Sequence, residues 1–302
     1  MENKIVLYLL GEKGYITLQN ILRKYFIDII EYVVIGRDKN INKDFSIEIE
    51  KICKNYKIKY FFRNEKKSNF KGYKMAIGWR WLLEDTDRLI IFHDSLLPKY
   101  RGFAPLVNSL INGEKYVGVT ALYADTEYDK GKIILQKKLE ITYPKKIKEA
   151  IKEISELYSE LALEIIKKIK KQDLSLGIEQ KEREASYSVW RDEKDYMINW
   201  NKKSDEIKRF VDAVGEPYLG AKTFIKNKLA IIEEVEEVLD VNIENREENI
   251  GKIIFFLQNK PVVICKKGLL KIVKGYYLEN KNNIFPLKSF RIRFSRGGLE
   301  ND

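Results

Sequence analysis

Residues 91–136, IFHDSLLPKYRGFAPLVNSLINGEKYVGVTALYADTEYDKGKIILQ, contain the only histidine in a chain of 302 residues. The apolar run Leu89, Ile90, Ile91, Phe92 that leads into the histidine reads as a buried strand. His93 and Asp94 stand at its end, followed by a rigid SLLP turn and the basic-aromatic YRG. A second strand, KYVGVTALYAD, alternates at Val117, Val119, Ala121 and Tyr123, and the turn after it delivers Asp129 in a DKG sequence. Catalytic groups often stand at the C-terminal ends of strands, where the scaffold holds them and loops give access. Histidine is the usual group for proton transfer near neutral pH, and a carboxylate can orient it. Spacing alone leaves two plainer readings open. His93 and Asp94 can be structural or merely exposed, and Asp129 with Gly131 can be a simple hairpin turn.

Outward from this stretch, the pattern is that of an α/β protein. IVLYLL (5–10) is a continuous apolar strand, buried on both faces, and Gly11 and Gly14 flank its turn into a helix carrying Leu18, Ile21 and Leu22. IIEYVVIG (29–36) and KIKYFF (57–62) are further strands, separated by the polar RDKNINKDF and a helical FSIEIEKICKNY. A short strand from Met75 to Ile77 precedes Trp79, Arg80 and Trp81. A helix over 103–114 tolerates Pro105 in its first turn and ends at Asn112-Gly113. A long helix follows Thr142 and Pro144, with the packing stripe Ile147, Ile151, Ile154, Leu157, Leu161 and Ile165 and no assigned chemistry. Residues 180–200 read as an extended linker anchored by Trp190 and Trp200, and Ser204–Val214 as a helix with Ile207, Phe210 and Val211 buried. From Leu229 on, short β-rich runs separated by Gly, Asn and Pro suit a small barrel, and SRGGLEND reads as a loose tail.

Composition narrows the class. No stretch approaches 18 apolar residues, and MENKIVLYLLGEKG lacks a small-residue cleavage site, so neither a transmembrane helix nor a signal peptide is expected and the protein is read as cytoplasmic. One histidine and two distant cysteines, Cys53 and Cys265, do not make a zinc site. The net charge of +11 could steer a polyanion such as tRNA or attract a nucleotide diphosphate. The plainer reading is that lysine-rich stretches such as KKIKEAIKEI solvate helix faces, because the charge forms no dense basic tract.

HDSLLPKYRGFAP, the following NG and GVTAL, and the D-x-G-x-I-x-x-Q of DKGKIILQ together resemble the signature of the folate-dependent formyltransferases. That family includes enzymes acting on methionyl-tRNA, on glycinamide ribonucleotide and on nucleotide-linked amino sugars. The resemblance implies a Rossmann-like formyltransferase core over 1–184, a linker over 185–203 and an OB-like C-terminal domain over 204–302. It implies 10-formyltetrahydrofolate as donor and a primary amine as acceptor, of a nucleotide-linked amino sugar or of initiator methionyl-tRNA. His93 matches the family's catalytic histidine, and Asp129 the aspartate that works with it. Trp81, Leu82, Ser95, Leu96, Leu97, Pro98 and Asp125 fall where the family holds its cofactor. Gly11, Tyr15, Arg101, Lys208 and Arg209 fall on the acceptor side, although the Gly11–Tyr15 turn and the two basic groups also have structural readings. One position departs from the family. Its catalytic asparagine lies two residues before the histidine, and here that residue is Ile91, which cannot donate a hydrogen bond. Losing one oxyanion donor typically costs about a hundredfold to a thousandfold in rate. A donor near Ser95, its backbone amide or hydroxyl, could substitute; alternatively the chemistry is slow or altered, or only folate binding is retained.

The acceptor reading follows from two features. Residues 37–45 are short where tRNA-modifying relatives carry a longer basic loop, and EEVEEVLDVNIENREEN in the C-terminal domain is strongly acidic. Both favour the amino sugar.

Overall fold

The computed structural model describes residues 4–297, apart from Phe26, Asn40, Asn42, Lys66, Ser68 and Lys288. Two positions of the 37–45 loop and the last five residues of the expected tail therefore lie outside the described residues. By contacts the chain forms two units. The first comprises residues 1–106, 115–141 and 149–190; the second comprises 107–114, 142–148 and 191–302.

The first unit is built on β1 (Ile5–Leu9), β2 (Ile30–Ile35), β3 (Tyr60–Phe62), β4 (Tyr73–Ile77) and β5 (Leu89–His93), all parallel. A two-residue strand β6 (Arg101–Gly102) follows, then the antiparallel hairpin of β7 (Tyr116–Tyr123) and β8 (Ile133–Glu140). The main sheet runs β3-β2-β1-β4-β5-β7-β8. The chain thus leaves β1 in one direction and returns on its other side at β4, which puts a topological switch point, and the crevice that goes with it, at the C-terminal ends of β1 and β4. Helices α1 (Gly11–Lys24) and α2 (Ser46–Asn55) make the first crossovers, α3 (Pro105–Ile111) precedes the hairpin, and α4 (Ile147–Lys170) follows it. Gly14 packs α1 onto the sheet, because a Cβ there would lie 2.9 Å from that of Leu9. On β7 the expected alternation is replaced by burial on both faces from Val117 to Leu122, as in a strand covered on both sides of the sheet. The stripe of α4 includes Tyr158 as a fully buried member, and Leu157 is only half-buried. A last short strand, β9 (Tyr187–Ser188), pairs in parallel with β6.

The second unit folds α5 (Ser204–Val214) against a six-stranded antiparallel sheet. Its strands are β10 (Ala221–Ile225), β11 (Lys228–Val238), β12 (Ile253–Leu257), β13 (Lys260–Ile264), β14 (Leu269–Tyr277) and β15 (Phe294–Ser295), in the order β12-β13-β14-β11-β10-β15. The sheet curls, and an antiparallel bridge between Lys252 and Arg293 joins its two edges, which gives the small OB-like barrel. Ile207 and Val211 of α5 and Val235, Val263 and Leu270 of the strands are buried. Of the two expected anchors, Trp200 is buried, donates to Thr223 Oγ1 at 3.0 Å and meets Phe294 edge-on. Trp190 is exposed instead.

Candidate active site

Strand β5 ends at the switch-point edge, so His93 is held by the sheet at the mouth of the crevice. Its Nε2 lies 2.8 Å from the carbonyl of Tyr100. A carbonyl can only accept, so this contact places the ring proton on Nε2. Nδ1 then presents a lone pair, 3.5 Å from Asp129 Oδ1. That gap is longer than a good hydrogen bond. The arrangement suits a ring that takes up a proton at Nδ1 and has the resulting charge stabilised by the carboxylate beside it.

Local sequence explains how Asp129 arrives there. It adopts a left-handed backbone (φ 57°), a conformation Asp tolerates better than most residues. Two residues on, Gly131 passes so close to the Tyr123 carbonyl that a Cβ would sit 1.8 Å from the oxygen. The carboxylate is fixed by the Gly102 amide, which donates to Oδ2 at 2.8 Å. The backbone behind it is fixed by Gln180, whose amide group donates to the carbonyls of Asp129 (2.7 Å) and Gly131 (2.9 Å).

Arg101, expected to meet the substrate, is fully buried and faces its own chain. Its guanidinium donates to both carboxylate oxygens of Glu182 and to Gln180 and Tyr187. A bidentate Arg–carboxylate pair is directional as well as strong, so it holds the 180–187 segment in place. Tyr100 and Ser186 add a further tie, the Tyr100 amide donating to Ser186 Oγ at 2.9 Å.

The SLLP turn is fastened from behind. Thr120 Oγ1 donates to the Ser95 carbonyl and accepts from the Leu97 amide, while Gln136 donates to the Leu97 carbonyl and to Thr120 Oγ1. The Ser95 hydroxyl, considered as a substitute donor, donates instead to the Lys99 carbonyl at 2.6 Å. Ser95 and Leu97 are buried; Leu96 and Pro98 are half-buried.

Beside Asp129 lies a cavity of about 190 Å³, walled by Trp79, Trp81, Leu82 and Ile91 and rimmed by Asp125. Trp81, Leu82 and Asp125, expected at the cofactor, are thus brought together, whereas the four SLLP residues do not line this cavity. Trp79 and Trp81 meet edge-on at 5.0 Å, and Arg63 and Arg80 sit over the Trp81 ring. Hydrogen bonds from the Thr126 hydroxyl and backbone amides hold the Asp125 carboxyl below its ordinary value. The Trp79 indole N–H is buried without a partner. An aromatic wall, an open N–H donor and two carboxylates suit a flat ring that carries both hydrogen-bond donors and acceptors, as a pterin does. Ile91 supplies only apolar surface.

On the other side of β5 is a cluster that sequence reasoning missed. Asp94 accepts from Lys13 Nζ and from the Tyr158 hydroxyl. Tyr158 also donates to the Phe92 carbonyl and stacks on the Phe92 ring. Burial works to raise the Asp94 carboxyl, but Lys13 and Tyr158 outweigh it and hold it below its ordinary value. Burial and the Asp94 charge push the Tyr158 phenol well up, so it stays a donor. Through Lys13 the Gly11–Tyr15 turn is tied to the residue after His93. Tyr15 is half-buried against Phe45 and accepts from Gln19, and open space surrounds Gly11. In the second unit, Lys208 pairs with Asp212 at 3.0 Å and Arg209 with Asp205 at 2.7 Å.

Residues 71–166 match the sequence model of the formyl transferase family, and residues 191–287 that of the formyl transferase C-terminal domain. A methionyl-tRNA formyltransferase of Prochlorococcus marinus is 28% identical over 203 residues, 63% of this chain and 61% of that protein. The chain therefore spans about three fifths of the length of this relative. An N-formyltransferase from Helicobacter canadensis, solved with folinic acid and dTDP-3-aminofucose, superposes with a TM-score of 0.68 at 18% identity, over 90% of this chain and 99% of that one. The sugar 3N-formyltransferase WlaRD, solved with dTDP and 5-N-formyl-THF, gives 0.67 at 20% identity, over 93% and 99%. At such identities the likeness establishes the fold.

Proposed function

Because the chain belongs to the folate-dependent formyltransferase family, we propose that it transfers a formyl group from 10-formyltetrahydrofolate to the primary amine of a nucleotide-linked amino sugar. The observation that carries the reading is the single histidine, held between the Tyr100 carbonyl and Asp129 beside a cavity with an aromatic wall. The folate, when bound, supplies the formyl carbon. Trp79, Trp81 and Leu82 would hold its flat ring, and Asp125 would accept from its amino groups. His93 Nδ1 would take the proton released as the amine attacks the formyl carbon, Asp129 would stabilise the imidazolium, and His93 would return that proton to the leaving folate nitrogen as its bond to the formyl carbon breaks. The apolar wall beside Asp129 lowers the local dielectric and strengthens the carboxylate–imidazolium interaction.

For the acceptor, the support is the short loop over 37–45; the acidic run expected to oppose RNA is largely neutralised within the chain, where Glu233, Glu234 and Glu236 of β11 pair with Lys274, Lys146 and Lys271. The solved relatives just described carry dTDP or a dTDP-sugar. Initiator methionyl-tRNA is the second reading, favoured by the net charge of +11 and by the name of the Prochlorococcus relative. Ile91 favours a third, folate binding without turnover.

Calorimetric titration with a non-reactive 10-formyltetrahydrofolate analogue separates these first, followed by formyl-transfer assays with nucleotide-linked amino sugars and with charged initiator tRNA. Binding together with turnover of an amino sugar is the expected result. Turnover of tRNA alone would replace the acceptor, binding without turnover of either would favour the third reading, and absence of binding would remove the donor.

A further inference from the structure

The second unit contains a cavity of about 340 Å³ that shares no lining residue with the cavity beside Asp129. Arg191, Lys202, Arg209 and Arg296 face two carboxylates in it, those of Asp195 and Glu206. Both carboxylates already serve the chain. Asp195 accepts from the Asp192 amide at 2.9 Å, and Glu206 from the Lys203 amide at 3.1 Å. Arg209 is anchored by Asp205 and by the Ile111 carbonyl.

Arg191 is the exception. Its terminal nitrogens donate to Asn108 Oδ1 and to the Asp195 carbonyl, but its Nε–H is buried and has no partner. Burial pushes this guanidinium down from its ordinary value, yet an arginine remains charged under all working conditions. A buried cationic donor without an acceptor is costly to maintain. An anion in the cavity would satisfy it and balance the excess of positive charge. The volume exceeds what one phosphate group fills and lies at the lower end for small-molecule sites. Met197 and Phe210 supply an apolar wall for the remainder of such a ligand.

We propose that this cavity binds a nucleoside diphosphate, with its phosphates on Arg191 and Arg296 and its base or sugar against Phe210. The size of the cavity, about 340 Å³, sets a small ligand ahead of an extended nucleic acid. Binding here can be read without donor or turnover, so the proposal stands or falls separately from the transfer reaction.

The test is calorimetric titration of the full chain with uridine diphosphate, with inorganic pyrophosphate and, in a separate arm, with initiator tRNA, for the wild type, Arg191→Gln and Arg296→Gln. Thermal melting checks that each variant is folded, and the exposed Arg296 keeps the test sound if Arg191→Gln does not fold. Both small probes are expected to bind, uridine diphosphate more tightly, and each substitution is expected to weaken binding at least tenfold. Absence of binding, or affinities unchanged in the folded variants, overturns the proposal. So does a result in which tRNA alone depends on the two arginines.

Discussion

The two sides of β5 are built to opposite specifications. On one side Ile91 lines the cavity, and His93, two residues on and therefore on the same face, is sparsely held beside it: the imidazole has one short contact, and the gap to the cavity residue Asp129 is 3.5 Å. On the other, Phe92 and Asp94 are locked by Tyr158 and Lys13, each carboxylate oxygen accepting a hydrogen bond from within the chain. A reacting group has to keep a lone pair open, whereas the backbone that carries it has to stay still. Alternation along a strand lets consecutive residues serve both needs.

Substitutions on the two sides should therefore separate activity from stability. The largest expected effect is His93→Ala, which should lower the turnover number by about a thousandfold, within the range for a lost proton-transfer group, while the urea midpoint barely moves. A matching loss of stability would show that His93 belongs to the scaffold. Next, Ile91→Asn should raise turnover by about tenfold or more by restoring an oxyanion donor, with the affinity for a folate analogue unchanged in titration. An unchanged rate would mean that another group already serves.

Lys13→Met should have the opposite signature. It strands a buried carboxylate and should cost about 3 kcal/mol of unfolding free energy, the lower end for breaking a buried pair, read by urea denaturation. The pH dependence sharpens this. In the wild type the lowered Asp94 carboxyl contributes stability that is complete above the ordinary carboxylate value and is lost as pH falls through the folded value. Without Lys13 the carboxyl loses its two largest lowering influences, so its folded value moves up and the loss of stability on acidification should be smaller in the variant. Identical slopes for the two proteins would remove Lys13 from the account. The smallest effect on activity is that of Gln180→Leu, which removes its two donations to the Asp129 turn and the two hydrogen bonds it accepts from Arg101; the loss of the first two, about 1 kcal/mol each, should lower kcat by about tenfold, leaving KM for the acceptor unchanged.

How much of this was legible depends on the distance between partners. The parallel strands and the β7–β8 hairpin are visible as apolar runs, and α5 occupies the expected Ser204–Val214. Strand β10 is not, because AKTFI carries a lysine that becomes acceptable only when the buried Lys222 pairs with Glu193. His93 and Asp129 stand out through rarity and resemblance. Lys13, Asp94 and Tyr158 do not, since each looks ordinary alone and they meet across separations of 81 and 64 residues. Arg101 drew attention as a basic group in the basic-aromatic YRG and through the family resemblance, and the residue that claims it, Glu182, lies 81 positions on. The 3.5 Å gap at His93 is likewise a property of the assembled loops.

The ties from Gln180 to the Asp129 turn span 51 residues. Closing a loop of that length costs roughly 3 kcal/mol of chain entropy, and contacts so distant in sequence form late in folding. A ribosome that has made the histidine, the aspartate and the whole of the main sheet has still not made the strap that fixes the carboxylate. During synthesis the nascent chain therefore carries every strand of the main sheet before it carries the residue that orders the reaction centre.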